Sequence, residues 1–282
     1  MEFFHIIDDM FNSDWHIHSN ASYDAELTLD NLLKSTKEEG IERFGLTDHA
    51  NFNIPSFWEN VEESKRLYEK YKQENFFFGV ELTTFPKAMY DHCQKHQSRD
   101  GYYSTVPTYN YDLEFMLTEE DLDRLGVSFV VAAAHSPWHL DMNDKFKLMT
   151  EWHRQQMYIA TDKRVAILGH AWWFNDASQA PWIGEDFDII PMSMHNELAS
   201  ALIENDIRLE ANKSMLIGSK RPQKFFDKYA EFLRYMFEKG VKITYGSDCH
   251  GPLYTTDRED VNKALSKVGF KKGDFSAPRL KT

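Results

Sequence analysis

The sequence predicts an α/β protein in which a parallel sheet closes into a barrel. Seven short apolar runs alternate with longer helix-like stretches along the 282 residues, and that alternation is typical of parallel sheets with helical crossovers. A chain of this length favours one large core, so we expect a single domain over residues 1–282. Neither a G-x-G-x-x-G nor a G-x-x-x-x-G-K-[ST] loop occurs in the sequence, which weakens a nucleotide-binding interpretation.

The first half of the chain shows the alternation from its start. The stretch "DWHIHS" is typical of a strand. "TLDNLLKSTKEEG" follows, in which Leu29, Leu32 and Leu33 recur at helical spacing and Gly40 marks a C-terminal stop. "ERFGLTDH" and "NFFFGVEL" predict the second and third strands, and "FWENVEESKRLYEKYKQ" predicts the helix between them.

The second half continues the pattern after an interruption. Four more strands are predicted at "GVSFVVAAAH", "RVAILGH", "DIRLEAN" and "VKITYGSD", and the helical "KFFDKYAEFLRYMFEKG" precedes the last of them. Residues 85–118, rich in Tyr, Pro and polar residues, break the rhythm, as does "AWWFNDASQAPWIGEDF" after His170. Because long loops in compact domains are commonly lids or binding loops, we expect residues 85–118 to be an inserted, lid-like segment over the site. The alternative is a surface insertion without a role.

The composition narrows the possible partners and the compartment. The hydrophobic content of 42% suffices for a packed core, and the net charge of −13 argues against nucleic acid or an anionic membrane as a partner. Only two cysteines occur, Cys93 and Cys249, which suggests a reducing compartment without a disulfide framework. No basic region precedes an apolar segment at the start, and no apolar run is long enough to span a bilayer. We therefore expect a soluble, cytoplasmic protein.

Ionisable side chains stand at nearly every predicted strand end. His16 and His18 lie two residues apart in the first strand, so both imidazoles project from one face. The later strands end with Asp48 and His49, Glu81, His135, His170, and Asp248 with His250, while the sixth carries Glu210 and Asn212. In parallel barrels the active site lies at these C-terminal ends. Each residue alone fits a cap, a turn or a core position, but their joint placement predicts a metal site.

The residue types indicate which ions such a site would hold. Neutral imidazole and carboxylate suit Zn²⁺, Mn²⁺ or Fe²⁺, and the ligand set contains no thiolate that would narrow the choice. The number of candidate ligands is too high for one ion. A carboxylate such as that of Glu81 can bridge two ions, and paired ions serve the hydrolysis of phosphate esters.

Taken in order, these residues form a specific set of motifs. The sequence has H-x-H at residues 16–18, T-D-H at 47–49, Glu81, His135, His170, and G-S-D-x-H at 246–250. From about Trp15 to His250 this order resembles the PHP family, named for polymerase and histidinol phosphatase, and "LEANKSML" is similar to the family's sixth strand. The resemblance implies a distorted (β/α)7 TIM-like barrel with a trinuclear metal centre at the C-terminal ends of the strands.

The resemblance also implies a ligand set for three divalent transition-metal ions, either Zn, Mn or Fe. The first ion would take His16, His18, Glu81 and Asp248; the second would share Glu81 and take His135 and His170; the third would take Asp24, His49 and His250. Asp24 stands where some relatives carry His, so the third ion is the one whose identity or affinity is expected to vary.

The implied activity is that of a metal-dependent phosphoesterase, most simply a phosphatase of a small phosphorylated metabolite. A hydroxide that bridges two metals would be the nucleophile. We expect Asp248 and His250 to act in catalysis and Asp48 to orient a ligand imidazole. Candidate substrate contacts are Lys213, Arg221, Trp138 and Trp172, with solvated cations and core packing as the alternatives.

Three other functions stay open. One is the specific activity of a histidinol-phosphate phosphatase, although "SNASYD" stands where that branch tends to carry a Cys- and Gly-containing stretch. Another is hydrolysis of an amide or lactone, as in the related amidohydrolases. The third is a binding or regulatory module that keeps metals for stability alone.

Overall fold

The structure of the protein is a computed structural model. It describes residues 12–101, 111–135, 140–141, 143–173, 187–218, 221–271 and 273–281. Residues 102–110 of the predicted lid-like segment and most of the second irregular segment, residues 174–186, lie outside the described residues. In the described part of the chain, no helix is both long and apolar enough to cross a membrane.

In the described residues the main sheet has eight strands, seven of which pair in one continuous parallel order. A second sheet has two strands. In chain order the strands are β1 (Ser13–Ile17), β2 (Arg43–Leu46), β3 (His49–Ala50), β4 (Phe76–Thr83), β5 (Phe85–Pro86), β6 (Leu113–Glu114), β7 (Phe129–Ala133), β8 (Ile167–Leu168), β9 (Arg208–Asn212) and β10 (Ile243–Gly246). The sheet order is β1-β2-β4-β7-β8-β9-β10, and the short β3 pairs with β4. The two outer strands meet, because Ile17 and Cys249 form a parallel bridge. The sheet is therefore nearly closed into the predicted barrel.

Helices connect the strands around the outside of the sheet. They are α1 (Leu29–Glu39), α2 (Pro55–Tyr71), α3 (Lys87–His96), α4 (Glu119–Leu125), α5 (Lys145–Thr161), α6 (Met192–Glu204), α7 (Lys213–Leu216), α8 (Gln223–Glu238) and α9 (Arg258–Lys267), with a 3₁₀ turn at Phe187–Ile189. Local chemistry explains the bounds of α1: Thr28 accepts a hydrogen bond from the Asn31 amide, and Gly40 ends the helix at φ 72°. The helix predicted there is confirmed.

The barrel interior is apolar below the site and polar at its mouth. A separate cluster of Trp15, Phe129, Val131, Ala166 and Ile167 lies apart from the larger core between sheet and helices. Phe77 of β4 packs against this small cluster, and Glu81 lies four residues further along the same strand, hence on the same face. Inside the barrel, the packed apolar side chains thus lie toward the starts of the strands. The ionisable residues lie beyond them, toward the C-terminal ends.

The described part of residues 85–118 has structure of its own. β5 and β6 pair as antiparallel strands, and α3 leaves directly from β5. On α3, Met89, Tyr90 and Cys93 are buried in the main core, and the Tyr90 hydroxyl donates to the Thr83 carbonyl over 2.8 Å. The start of this segment is therefore packed into the domain.

Candidate metal centre

The strand ends converge on one buried carboxylate. Glu81 of β4 has no exposed surface. Its oxygens lie within reach of five imidazoles: His49 Nδ1 at 2.6 Å, His170 Nε2 at 3.2 Å, His135 Nε2 at 3.4 Å, His16 Nε2 at 3.5 Å and His18 Nε2 at 3.6 Å. A carboxylate with neighbours on both oxygens is placed to bridge two ions.

The predicted ligands fall into three compact groups. The ligand atoms of His18, His49 and His250 all lie within 4.8 Å of one another, and the same holds for His16, His18 and Asp248 and for His49, Glu81 and His135. Asp24 joins the first of these groups, since its two oxygens lie 3.4 Å from His49 Nε2 and 3.8 Å from His250 Nε2. The nine residues predicted from the sequence are therefore brought together at one end of the barrel.

The tautomer of His16 is fixed by its surroundings. His16 Nδ1 lies 2.7 Å from Glu210 Oε1, and an ionised carboxylate only accepts hydrogen bonds. The proton of a neutral His16 ring therefore sits on Nδ1, and the Nε2 lone pair points into the cluster.

His18 is oriented in the same way by a serine. His18 Nδ1 lies 3.2 Å from Ser22 Oγ, which donates its own proton to Asp48 Oδ1 over 2.9 Å. Ser22 therefore accepts from His18 Nδ1, which leaves Nε2 without a proton. Two lone pairs, on His16 Nε2 and His18 Nε2, then face each other across 3.0 Å.

The proton positions of His135 and His250 can be assigned in the same way. Thr83 Oγ1 donates to Asn51 Oδ1 over 2.6 Å and so accepts from His135 Nδ1 at 2.9 Å. His250 Nδ1 lies 2.9 Å from the Asp248 carbonyl, which can only accept. In both rings Nε2 is left as the free acceptor, directed toward the cluster.

This donor set fits divalent metal ions. Lone pairs that face one another in a buried site repel unless a cation lies between them, and imidazole nitrogen and carboxylate oxygen are ligands of zinc and related ions. The contact between His49 Nδ1 and Glu81 Oε2 is short but lacks hydrogen-bond geometry, so both are buried polar atoms without a hydrogen bond among the described residues. Metal coordination would satisfy these atoms.

The pKa shifts of the buried carboxylates and imidazoles also favour a cation in the site. Burial by itself would raise the pKa of Glu81, but the charges of His135 and other neighbouring histidines hold it well below its usual range. Asp248 behaves likewise, with His16 as its main charged neighbour. Burial would lower the pKa of His49, yet the charge of Glu81 raises it to about 10. In the absence of metal, protons would have to supply positive charge here.

The comparison with known families agrees with this geometry. The sequence model of the PHP domain matches residues 14–271. The chain belongs to the PHP domain family.

Two known proteins are similar to this chain, one in sequence and one in structure. A stretch of 75 residues is 29% identical to a protein of Thermotoga maritima named "Probable histidinol-phosphatase", and it covers 27% of this chain and 28% of that protein. The structure is similar to that of a histidinol phosphate phosphatase from Lactococcus lactis subsp. lactis Il1403, complexed with zinc, L-histidinol and phosphate. That likeness has a TM-score of 0.59 at 16% identity and covers 96% of this chain and 98% of the other, so it concerns the fold.

Asp48 of the PHP domain is linked to the candidate ligands by hydrogen bonds through serines. It is buried and accepts hydrogen bonds from the Ser19 amide and hydroxyl and from the hydroxyls of Ser22 and Ser64, over 2.6–2.9 Å. Ser22 in turn contacts His18 Nδ1 and accepts from the His49 amide. Asp48 is thus connected to the imidazole of His18 through Ser22, and the sequence stretch "SNASYD" supplies Ser19 and Ser22. Its role in orienting a ligand stays a prediction.

Sequence reasoning did not assign Glu210 a role in the site. This residue of β9 is fully buried, and its two oxygens accept from His16 Nδ1 at 2.7 Å and from the His170 amide at 2.6 Å. Asn212 Nδ2 lies 3.1 Å from Glu210 Oε2 and 3.2 Å from Asp248 Oδ2. The signal available in the sequence was the presence of Glu210 and Asn212 at the end of a predicted strand, as ionisable or polar residues stand at the ends of the other strands.

The two predicted cationic substrate contacts are held by other groups. Lys213 Nζ lies 3.0 Å from Asp257 Oδ2 and donates to the Thr255 carbonyl over 2.7 Å. Arg221 donates to the Trp173 carbonyl over 2.7 Å, and its guanidinium lies 4.9 Å from the centroid of the Phe225 ring. Either cation would have to exchange these partners for a phosphate, so their roles stay predictions.

The tryptophans divide between core and site. Trp138 lies outside the described residues, and Trp172 is fully buried and stacks on His153. The ring of Trp173 instead lies 5.5 Å from that of His170 and 5.8 Å from that of His135. Of the adjacent pair, Trp173 is the one that walls the metal ligands, and Trp172 would reach a substrate only if it left the core.

Tyr23 is an aromatic neighbour of another candidate ligand, His49. Its ring stacks on His49 at 5.5 Å between centroids, and its side chain is 55% exposed. Arg99, from the segment after α3, lies 5.8 Å from the Tyr23 ring and 5.7 Å from the Phe57 ring. The described part of the predicted lid-like segment therefore reaches the side of the site where Asp24, His49 and His250 meet.

Proposed function

We propose that this chain is a metal-dependent phosphoesterase, a phosphatase of a small phosphorylated metabolite. The observation that carries the proposal is the buried cluster of imidazole nitrogens and carboxylate oxygens, centred on Glu81, whose ligand atoms face one another at short distances. Membership of the PHP domain family supports it. Divalent ions held there would lower the pKa of bound water toward 7 and bind phosphoryl oxygens.

The proposed ligand sets are those that the family resemblance implies, and the three geometric groups overlap with them without being identical to them. His16, His18, Glu81 and Asp248 would hold one ion, Glu81 with His135 and His170 a second, and Asp24, His49 and His250 a third. Asp24 and His250 are the more exposed of these, with side chains 37% and 31% exposed. We expect substrate to approach from their side, and Asp248 and His250 to be the ligands nearest the reacting phosphate.

The rest of the chain prepares this site. Glu210, Ser22 and Thr83 hold protons at the Nδ1 atoms of three imidazoles, so that the opposite nitrogens are free to bind metal. Tyr23 and Trp173 place aromatic walls on two sides of the ligands. Such walls restrict water and strengthen the electrostatics of the site.

The test is hydrolysis by protein stripped with a chelator and reloaded with Zn²⁺, Mn²⁺ or Fe²⁺. Loaded protein should release nitrophenol from p-nitrophenyl phosphate but not from p-nitrophenyl acetate, and stripped protein should do neither. A preference for the acetate would favour the amidohydrolase-like alternative. Loaded protein that is inactive on both esters and on a set of metabolite phosphates would contradict the proposal.

A pair of matched variants shows whether the activity belongs to this site. His18→Gln should abolish phosphate release, because it removes a ligand. His92→Gln makes the same change at a half-buried histidine of α3 that lies outside the candidate ligands and whose Nε2 lies 2.8 Å from the Asp100 carbonyl. That variant should keep the parent's rate.

Histidinol phosphate is the first specific substrate to try. The Thermotoga maritima protein is named a probable histidinol-phosphatase, and the structurally similar enzyme is a histidinol phosphate phosphatase in complex with zinc, L-histidinol and phosphate. A kcat/KM for histidinol phosphate far above that for other metabolite phosphates would establish this narrower function. Equal or lower values would leave the broader phosphatase in place.

A further inference from the structure

The two carboxylate oxygens of Glu210 accept hydrogen bonds from two different candidate ligands, His16 and His170. Oε1 accepts from His16 Nδ1 at 2.7 Å, while Oε2 accepts from the His170 backbone amide at 2.6 Å and from Asn212 Nδ2 at 3.1 Å. The carboxylate is fully buried, so no water competes for these donors. Both oxygens are therefore required as acceptors.

The neighbouring strand is built to admit this carboxylate. A Cβ on Gly246 of β10 would stand 1.9 Å from Glu210 Oε1 and 2.7 Å from the Cβ of His16. Only glycine leaves room for the side chain to pass between β9 and β10 to the imidazole. This close approach explains why position 246 is a glycine, and the explanation does not depend on a bound metal.

We propose that Glu210 is a positioning residue that keeps His16 in its Nδ1–H tautomer and thereby makes His16 Nε2 a metal ligand. The same side chain fixes His170 by its backbone, where φ is 20°, a value unusual for a residue with a side chain. Glu210 would thus couple a ligand of the first proposed ion to a ligand of the second without touching either ion.

An isosteric change separates this role from simple packing. In the variant Glu210→Gln, the side chain has one acceptor oxygen and one amide donor in place of two acceptors. Two donors, one of them a fixed backbone amide, face the Oε2 position, so the glutamine oxygen should settle there. The amide group of the glutamine would then donate to His16 Nδ1 and move the ring proton to Nε2, where it blocks metal binding.

The experiment measures metal affinity and ring tautomer. Zinc affinity is measured by chelator competition for the parent protein and for Glu210→Gln, and ¹⁵N-labelled zinc-loaded protein gives the protonation of each imidazole nitrogen by NMR. We expect Glu210→Gln to weaken zinc binding on the order of 10- to 100-fold and to show His16 protonated at Nε2. The His16 signals are assigned by their loss in His16→Gln.

Glu197→Gln is the matched control. This carboxylate also accepts from a histidine, His153 Nε2 at 2.9 Å, but on α6 with a side chain 61% exposed. It should change neither zinc affinity nor the spectrum of His16. A Glu210→Gln protein that binds zinc within twofold of the parent, with His16 still protonated at Nδ1, would overturn the proposal.

If the Glu210→Gln variant does not fold, the proposal can still be tested on the parent protein. In the parent protein loaded with zinc, His16 must carry its proton on Nδ1 and bind through Nε2. A parent spectrum with the proton on Nε2 would overturn the proposal without any variant. Neither readout involves a substrate, so both stand or fall independently of the proposed phosphatase activity.

Discussion

At the residue scale, the sequence could predict which residues come together as candidate metal ligands, but not how their side chains are oriented. His16, His18 and Glu81 stand out because they end or occupy strands of a parallel sheet. Which nitrogen of each imidazole faces the site depends on partners far away in sequence, such as Glu210 for His16. Such hydrogen bonds form only when the barrel closes, and no spacing along the chain records them.

Glu81 is the residue whose loss should affect more than one ion. Glu81→Gln keeps the shape of the side chain but removes the charge and one acceptor from between five imidazoles. We expect elemental analysis to find about two fewer ions per chain than in the parent, because a bridging carboxylate serves two ions. Loss of a single ion, with the others retained, would show that Glu81 binds only one.

Asp24 is the ligand for which an exchange should be tolerated. Asp24→His offers an imidazole to the ion proposed between His49 and His250, whose Nε2 atoms lie 3.4 Å and 3.8 Å from the Asp24 oxygens. We expect this variant to keep part of the phosphatase activity and Asp24→Ala to lose it more severely. Parent-like rates in both variants would remove Asp24 from the ligand set.

At the element scale, the apolar runs located the seven strands of the barrel, and local caps located α1. The two-residue strands β3, β5 and β6 were not predicted, because segments that short carry no periodic signal. Helix α3 was also missed, since the Tyr- and Pro-rich composition around it resembles a loop. Its burial of Met89 and Cys93 is a tertiary effect.

Arg99 tests the lid-like role of the segment after α3. Arg99→Ala removes the guanidinium that lies over Tyr23, at the side of the ligands, and leaves the buried face of α3 intact. We expect the ratio of naphthyl phosphate to glycerol phosphate hydrolysis to rise roughly threefold or more, with unchanged metal content. Lys95→Ala, on α3, is the control, and an unchanged ratio in Arg99→Ala would make the segment irrelevant to substrate size.

At the scale of the whole molecule, the nearly closed sheet explains why one acidic chain can gather so many candidate ligands. The strands all run in one direction, so their C-terminal ends share one rim, above an interior packed by Trp15, Phe129 and Ile167. The sequence could predict this rim from order and alternation. It could not predict that β8 is reduced to Ile167–Leu168, since the apolar run there is longer than the paired segment.

The stability of the molecule should depend on pH through His195. This residue of α6 is buried among aromatic rings, and burial, together with the charge of His153, lowers its pKa to about 4. Between pH 6.5 and pH 4 the unfolded chain would bind a proton that the folded protein refuses, so the free energy of unfolding falls as the pH falls. The loss from this group amounts to roughly 3 kcal/mol.

His195→Phe should remove that part of the pH dependence. Denaturant unfolding of both proteins in the presence of a chelator, at several pH values from 7 to 4, isolates the contribution of His195 from metal release. We expect the variant to gain stability relative to the parent as the pH falls. A constant difference between the two proteins across this range would show that His195 titrates as it does in the unfolded chain.

Titration of bound metal against phosphate release tests the central claim most directly. Chelator-stripped protein is reloaded stepwise, and ions per chain are determined by elemental analysis at each step, alongside hydrolysis of p-nitrophenyl phosphate. We predict that activity is absent without metal and reaches its maximum at about two to three ions per chain. Full activity in a preparation that holds less than about one ion per chain would contradict the metal-dependent mechanism.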